Sequence, residues 1–546
     1  MTRTTSRRNL AALATAVTVG LLLSACGSAD ESTSDTGRGA PVRADAQLYG
    51  EGAAPDGLAG APEAMAPGAP EGFAPETRER PAPSQEEYDD ALEQPFQKVA
   101  TSPLSTFAAD VDTASYSNLR RQIAQGQEPA GVRIEELVNY FDYDHAAPGP
   151  GDEAPFAVST EVAEAPWAPD HDLAMIGVQA TEAVPTHEGN NIVFLLDVSG
   201  SMNEPDKLPL LAESFALLAS RLGPRDVVSI VTYAGDNRVL LDSVPGSEEG
   251  VITDALTSLS AGGSTGGAAG LETAYELAAK NFVDGGNNRV ILATDGDFNV
   301  GPSTPQELTA MVEEARESGV YVSVLGFGMY NLKDNMMEAI ADHGNGNYAY
   351  IDTIDEARKV LVDEFDSTMF VVAQDLKVQV EFNPAVVSGY RLIGYDNRRL
   401  EDEDFADDTK DAGDVGAGHS VTAFYEIVPA SGEATAGNGL EYQDATPSGS
   451  DDFLTVHVRW KEPGASRSAE QEYPVGAAAY TREPSTDFRF ASAVAEAGLV
   501  ARGSGYAAGA SLESAQARAA AALGADPYGL RGEFVALLGR YRELRA

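Results

Sequence analysis

A strand-like run that ends in alternating oxygen-bearing side chains is the feature that most constrains the fold of this chain. The run Asn191–Leu196 is short, apolar and rich in β-branched and aromatic residues, which is typical of a strand covered on both faces of a parallel sheet. Asp197, Ser199 and Ser201 follow it within one turn. Oxygen ligands suit a small hard cation, and open α/β sheets bind ligands at the carboxyl ends of their strands. We therefore predict an α/β domain with a cation site at one edge of its sheet.

Two later segments contain residues that fit the same site. Residues 262–267 form a glycine-rich loop around Thr265, and the buried-type strand Val290–Thr294 ends at Asp295. With the first segment they resemble the metal-ion-dependent adhesion site (MIDAS) of von Willebrand factor type A (VWA) domains, whose five positions are filled here by Asp197, Ser199, Ser201, Thr265 and Asp295. The alternative is a Ser/Asp-rich turn that only caps a helix, and the presence of three ordered segments disfavours it.

The resemblance implies a cofactor and a mode of binding. The cation is usually Mg²⁺, with Mn²⁺ or Ca²⁺ as alternatives. The serines and the threonine contact the ion, the aspartates act directly or through water, and a carboxylate from a partner takes the last position. Hydroxyl ligands are neutral, so such an ion keeps positive charge for an anionic ligand. Mg²⁺ also gives up water reluctantly, which suits a site with few protein carboxylates and an open face.

The amino terminus is predicted to direct export and membrane attachment. Arg7 and Arg8 precede an apolar run over residues 10–23, which is too short for a stable membrane span and is typical of a signal peptide covering residues 1–26. Residues 23–26, Leu-Ser-Ala-Cys, resemble a bacterial lipobox, and Cys26 is the only cysteine in the chain. The resemblance implies that Cys26 is lipidated and anchors the protein at the extracytoplasmic face of the cell membrane. The arginine pair leaves general secretory and twin-arginine export both open.

Charge and composition limit the partners and the number of domains. The chain has 37 Lys+Arg against 85 Asp+Glu, a formal net charge of −48, which would repel nucleic acid and excludes it as an expected partner. Its 546 residues predict two or three domains. Residues 27–100 are rich in Ala, Gly, Pro, Glu and Ser with little periodicity, which predicts a disordered linker.

Periodicity divides the remainder of the chain. Strands and helices alternate across residues 189–370, which predicts a doubly wound, Rossmann-like sheet for the VWA domain. Residues 151–188 and 371–480 show period-two alternation typical of antiparallel sheets. Because they lie on both sides of the VWA segment, we predict that the VWA domain is inserted into a β-sandwich. Residues 101–150 and 481–546 are predicted as N- and C-terminal helical regions. The flanking segments resemble those of the YfbK-like family of bacterial VWA lipoproteins.

Two rival motifs are less consistent with their surroundings. Residues 262–266 match the Gly-x-Ser-x-Gly pattern of a hydrolase nucleophile, but that motif needs a strand directly before the serine, and a helix and loop are predicted here. Residues 295–299 resemble the start of an EF-hand loop, but Val300 stands where the required glycine should be. Neither a serine hydrolase nor an EF-hand calcium site is expected.

The predicted function is capture of a protein partner through the cation site. The partner is an unidentified envelope or extracellular protein that presents an Asp or Glu carboxylate. Five residues that follow strand ends are predicted to form the rim of the metal face: Met202, Phe298, Asn299, Met329 and Tyr330. No catalytic residue is predicted, because sites of this type lack a nearby general base. Two alternatives remain open at this point, namely a metal-dependent envelope hydrolase and a domain whose metal only stabilises the fold.

Overall fold

The computed structural model describes residues 86–88, 92–109, 112–149, 151–184, 187–264, 267–296, 305–329, 332–430 and 450–546. The predictions for the signal peptide, for Cys26 and for most of the linker lie outside these residues. In chain order the strands are β1 (Gln97–Lys98), β2 (Leu104–Ala108), β3 (Phe156–Ala165), β4 (Ala168–Ala180), β5 (Asn190–Asp197), β6 (Val227–Tyr233), β7 (Asn237–Pro245), β8 (Asn287–Thr294), β9 (Tyr321–Phe327), β10 (Tyr348–Ile351), β11 (Val371–Phe382), β12 (Val387–Ile393), β13 (Arg399–Leu400), β14 (Val415–Gly416), β15 (Ser420–Pro429), β16 (Leu454–Lys461) and β17 (Ser468–Val475). The helices are α1 (Ala114–Ala124), α2 (Ile134–Asn139), α3 (Leu208–Ala219), α4 (Glu249–Thr257), α5 (Gly267–Lys280), α6 (Pro305–Glu317), α7 (Asp334–His343), α8 (Ile354–Arg358), α9 (Phe365–Met369), α10 (Thr486–Arg502), α11 (Leu512–Ala521) and α12 (Leu530–Leu544).

The α/β domain contains a six-stranded sheet in the order β10-β9-β8-β5-β6-β7. Every residue of β5 is buried, and alternate side chains pack on opposite sides: Phe194 lies in one core cluster and Leu195 in another. The predicted doubly wound architecture is confirmed, with one difference. The edge strand β7 is antiparallel to β6, because the turn between them is too short for the crossover that a parallel pair requires.

The strands on either side of this domain form a β-sandwich. Its two sheets have the orders β1-β12-β15-β4-β3 and β13-β2-β11-β16-β17. Side chains interdigitate between them, for example where Phe156 of β3 packs edge-on against Trp460 of β16 with ring centroids 4.8 Å apart. The α/β domain leaves the sandwich after β4 and returns at β11, so the predicted insertion is confirmed.

Two predicted boundaries are wrong at the start of the folded region. The N-terminal helical region was predicted from residue 101, but Leu104–Ala108 is strand β2, which pairs with β11 and buries Phe107 in the core. The linker was predicted to run to residue 100, but Gln97–Lys98 is strand β1, and Glu87 forms a parallel bridge with Lys333. Segments this short carry too little periodicity to be recognised, and their structure depends on the strands that they join.

The two helical regions pack on each other although they lie far apart in sequence. Helices α1 and α2 share a hydrophobic cluster with α10, α11 and α12. At its centre the ring of Phe141 lies 5.0 Å from that of Phe490 and 5.6 Å from that of Phe534, measured between centroids. Among the described residues, no helix is long and apolar enough to cross a bilayer.

A buried acid on α2 predicts how stability depends on pH. Burial raises the pKa of Glu135 to about 7 from an ordinary value of 4.5, and its Oε2 atom has no hydrogen-bond partner. Between these values the folded protein keeps a proton that the unfolded chain loses, so stability falls as pH rises. We expect Glu135→Gln to stabilise the protein by about 1–3 kcal/mol at pH 8 and to have little effect near pH 4.5.

Urea unfolding at several pH values measures this difference. The matched control is Glu462→Gln, which changes an exposed glutamate in the same way. Equal effects of the two substitutions at pH 8 would contradict the role of Glu135.

Candidate metal site

The two predicted aspartates lie at the same edge of the α/β sheet. Strands β5 and β8 are parallel neighbours, with Leu196 opposite Ala293 in their register. Asp197 is the last residue of β5, and Asp295 comes directly after β8. Their exposed fractions are only 0% and 1%. The parallel register therefore brings two buried carboxylates to adjacent strand ends.

Asp197 is held by neutral donors from three segments. Its Oδ1 accepts a hydrogen bond of 2.8 Å from the backbone N–H of Ser199. Its Oδ2 accepts hydrogen bonds from the hydroxyl of Thr294, at 3.2 Å, and from that of Tyr233, at 3.3 Å. Burial raises the pKa of Asp197 to about 6, hydrogen bonds from Ser199 oppose the rise, and the charge of Asp295 adds to it. The site thus concentrates negative charge where a cation would relieve it.

The two serine hydroxyls of the predicted site face each other. Ser199 lies in extended backbone directly before a 3₁₀ turn over Gly200–Asn203. Its Oγ atom is 3.0 Å from that of Ser201. Ser199 is buried and Ser201 is exposed, so the pair extends from the interior to the solvent. This arrangement gives the site one open side.

The glycine-rich loop is joined to the same turn by backbone hydrogen bonds. Gly200 N–H donates to the carbonyl of Gly263 at 3.1 Å, and Gly262 N–H donates to the carbonyl of Val198 at 2.8 Å. Gly263 has φ +87°, a left-handed conformation that favours glycine. Thr265 lies just beyond the described part of this loop, so its position as a ligand stays a prediction.

Three supporting residues were not predicted from the sequence. Thr294 and Tyr233 donate to Asp197, as described above, and Lys207 Nζ donates to Asp295 Oδ2 at 2.8 Å. Tyr233 and Thr294 are the last residues of β6 and β8, and Lys207 directly precedes α3, the helix that follows the Asp-x-Ser-x-Ser turn. These positions are the sequence signal that could have identified the three residues.

The residues present fit a hard divalent cation. Two buried carboxylates and two hydroxyls at one sheet edge form an oxygen-only donor set, which Mg²⁺, Mn²⁺ and Ca²⁺ accept and which soft metals do not favour. When bound, such an ion would supply a positive centre for an anionic ligand. Asp197, Ser199, Ser201 and Asp295 would hold it, with Thr265 as the predicted fifth ligand.

The predicted rim is only partly described, and one member is wrong. Met202 is 0% exposed and packs in the hydrophobic core, because the 3₁₀ turn directs its apolar side chain inward. Met329 is half-buried, and its sulfur accepts a hydrogen bond from the side-chain amide of Gln125, at the end of α1. The remaining predicted rim residues, Phe298, Asn299 and Tyr330, lie outside the described residues.

The hydrolase motif does not have the geometry that its chemistry requires. Ser264 follows helix α4 and a loop, whereas a nucleophile elbow places the serine directly after a strand. The loop instead supports the turn that carries Ser199, through the backbone hydrogen bonds described above.

Comparisons with known proteins agree with this architecture. Three family models match the chain: von Willebrand factor at residues 82–175, von Willebrand factor type A domain at residues 191–363, and uncharacterized protein YfbK, C-terminal, at residues 367–544. The chain is 43% identical over 468 residues to the uncharacterized protein YfbK of Escherichia coli (strain K12), which covers 83% of this chain and 80% of that protein.

Two solved structures also match parts of the chain. A von Willebrand factor type A protein from Catenulispora acidiphila is 16% identical with a TM-score of 0.40, covering 68% of this chain and 88% of that one. Proximal thread matrix protein 1 from the mussel byssus, solved with a zinc-occupied MIDAS motif, is 22% identical with a TM-score of 0.27, covering 35% and 46%.

The family follows from a sequence match over most of the chain. VWA domains are often protein-interaction modules and commonly bind a divalent cation at the MIDAS. The sequence match to the E. coli protein covers 83% of this chain and so extends well beyond the VWA segment. The YfbK C-terminal model matches residues 367–544, which include strands of the sandwich and the C-terminal helices. The chain therefore belongs to the YfbK family of bacterial VWA-domain proteins.

Proposed function

We propose that this protein captures an envelope or extracellular protein by a divalent cation that coordinates an Asp or Glu carboxylate of the partner. The observation that carries the proposal is the set of two buried carboxylates and two paired hydroxyls at one sheet edge. Ser201 is exposed at this edge, which leaves one side of the site accessible to a second protein.

The charge of the chain supports the need for a metal. With a formal net charge of −48, the protein as a whole repels an acidic ligand. A local cation would reverse this repulsion at one point only, and so would select a carboxylate presented in the correct place. Mg²⁺ is the proposed ion, because a site with two carboxylates and several neutral oxygens suits its preference for few charged protein ligands.

A pull-down from envelope extracts tests the proposal. We expect the immobilised protein to retain a partner in Mg²⁺ and to release it in EDTA. Blocking the surface carboxylates of the extract with a carbodiimide and an amine should also abolish retention. If the metal raised the melting temperature but no partner were retained in its presence, the result would instead favour a cation that only stabilises the fold. Metal-dependent turnover of an envelope polymer would favour a hydrolase.

Membrane attachment through Cys26 is the second part of the proposal. The lipobox-like residues 23–26 place the only cysteine directly after the apolar run. We expect the wild-type protein to sediment with membranes after cell fractionation and Cys26→Ser to lose the lipid anchor. Metabolic labelling with a palmitate analogue should label the wild type alone. Labelling of the Cys26→Ser variant would contradict this assignment.

A further inference from the structure

A lysine ammonium group is buried against one of the two site carboxylates. Lys207 Nζ lies 2.8 Å from Asp295 Oδ2, and the two residues are 7% and 1% exposed. Burying two charges costs desolvation free energy, which can exceed the attraction between them. A buried ion pair therefore does not by itself stabilise a fold. Here the pair forms at the edge where the predicted metal ligands meet.

The fold holds the lysine side chain in this position. Lys207 directly precedes α3, and its aliphatic stem lies against Gly328, which follows β9 at the same edge of the sheet. A Cβ atom on Gly328 would lie 2.4 Å from both Cγ and Cε of Lys207, and the glycine has φ +74°. A side chain at position 328 would collide with the lysine stem, so the glycine keeps open the space in which Lys207 lies beside Asp295.

The lysine also changes the charge of the site. The backbone and hydroxyl groups that donate to Asp197 are neutral, whereas Asp295 is paired with the positive charge of Lys207. One of the two negative charges is therefore compensated by the protein itself. A cation at the site would face about one uncompensated carboxylate charge instead of two.

We propose that Lys207 is a positioning residue that holds Asp295. Its charge lowers the affinity of the site for a divalent cation and raises the affinity of the bound cation for an anionic ligand. This inference rests on the proposed metal-dependent capture. Because Lys207 lowers the negative charge of the site, a divalent cation binds more weakly but keeps more positive charge for the carboxylate of a partner. Removing the lysine charge should therefore change the two affinities in opposite directions.

The test uses Mn²⁺ as the metal and acetate as the carboxylate probe. Mn²⁺ binding to the purified protein is measured by electron paramagnetic resonance, and acetate binding by its effect on water proton relaxation of the Mn²⁺ complex. We expect Lys207→Met and Lys207→Gln to bind Mn²⁺ at least about fivefold more tightly, because two unit charges about 4 Å apart interact with about 1 kcal/mol in water and with more in a partly buried site. Both variants should bind acetate more weakly. Lys207→Arg, which keeps the charge, should resemble the wild type in both measurements.

The controls separate this inference from the proposed function. Two neutral variants are used so that a failure of one to fold does not remove the test, and circular dichroism verifies folding. Absence of Mn²⁺ binding by the wild type would overturn both proposals. Mn²⁺ binding that requires Ser199 but is unchanged or weaker in both neutral variants would overturn only the role of Lys207. Tighter Mn²⁺ binding with unchanged acetate affinity would also contradict the proposal that the two affinities change in opposite directions.

Discussion

Ser199→Ala is expected to abolish the Mg²⁺-dependent rise in melting temperature and the Mg²⁺-dependent capture of a partner. The substitution removes a hydroxyl that lies 3.0 Å from that of Ser201 in the proposed ligand set. The backbone N–H of Ser199, which donates to Asp197, remains in place. The metal-free variant should therefore keep its fold. A ligand present at 100 times its dissociation constant stabilises the native state by about 2.7 kcal/mol, and the variant should lose this increment.

Thermal melting with Mg²⁺ and with EDTA measures the effect, followed by the pull-down under the same conditions. The matched control is Ser220→Ala, directly after the carboxyl end of α3. It removes an exposed hydroxyl that donates to the carbonyl of Leu217 at 2.7 Å. This control should keep the full response to Mg²⁺. A Ser199→Ala protein that still melts higher in Mg²⁺ by the wild-type amount would show that the metal binds elsewhere.

Asp295→Ala should abolish capture as well, but the structure makes it a less direct test. Removing the carboxylate leaves the ammonium group of Lys207 buried without this partner, and an uncompensated buried charge destabilises the fold. Loss of capture by Asp295→Ala must therefore be compared with its metal-free melting temperature. Ser199→Ala avoids this complication.

Arg133→Leu should destabilise the folded region by about 3–5 kcal/mol, because it removes one partner from a buried group of charges. Arg133 is 6% exposed and forms ion pairs with Glu136, with Asp334 at 2.6 Å and with Glu338 at 3.3 Å. Asp334 and Glu338 belong to α7 of the VWA domain, whereas Arg133 directly precedes α2. The substitution therefore loosens the contact between the N-terminal helices and the VWA domain.

The destabilisation should be larger at high pH. Burial raises the pKa of Glu338 to about 8, and the charge of Arg133 opposes that rise. Without the arginine, Glu338 should bind its proton more strongly in the folded protein, whereas in the unfolded chain this residue loses the proton above its ordinary pKa of 4.5. Stability should therefore decrease further as pH rises from about 5 to about 9.

Urea unfolding followed by tryptophan fluorescence measures this effect. Trp167 lies in the hydrophobic cluster of the helical regions and Trp460 in the core that includes the sandwich, so the signal reports on both. The control is Arg542→Leu on α12, which changes an exposed arginine whose carboxylate partner, Glu513, is 3.9 Å away. Exposed pairs contribute roughly 0–1 kcal/mol. A loss from Arg133→Leu no larger than that of the control would contradict a structural role for the buried group.

The architecture of the α/β domain could be predicted because its signals are local. The runs Val227–Tyr233 and Tyr321–Phe327 form strands with the predicted bounds, and Leu530–Leu544 forms the predicted helix. Strand and helix periods are properties of neighbouring residues, so one sequence is enough to reveal them. The positions of Asp197 and Asp295 follow in the same way, because parallel strands place their carboxyl ends at one edge.

Local patterns did not reveal which residues support that edge. Met202 follows a strand end and was predicted at the rim, but the turn buries it in the core. The short strand β2 was assigned to a helical region, because its place between β13 and β11 depends on partners hundreds of residues away. Its five residues alone cannot specify that pairing.

The sequence by itself determined the alternation of strands and helices, the sandwich on both sides of the VWA domain, and the placement of oxygen-bearing side chains at strand ends. Only the tertiary structure decided that Lys207 neutralises Asp295 across 88 residues and that Arg133 joins three carboxylates between domains. The physical reason is that the interaction between two charges depends on their separation in space and not on their separation along the sequence. Periodicity determines which face of its own element a charged residue occupies, but the packing of elements determines which opposite charge lies within hydrogen-bond reach.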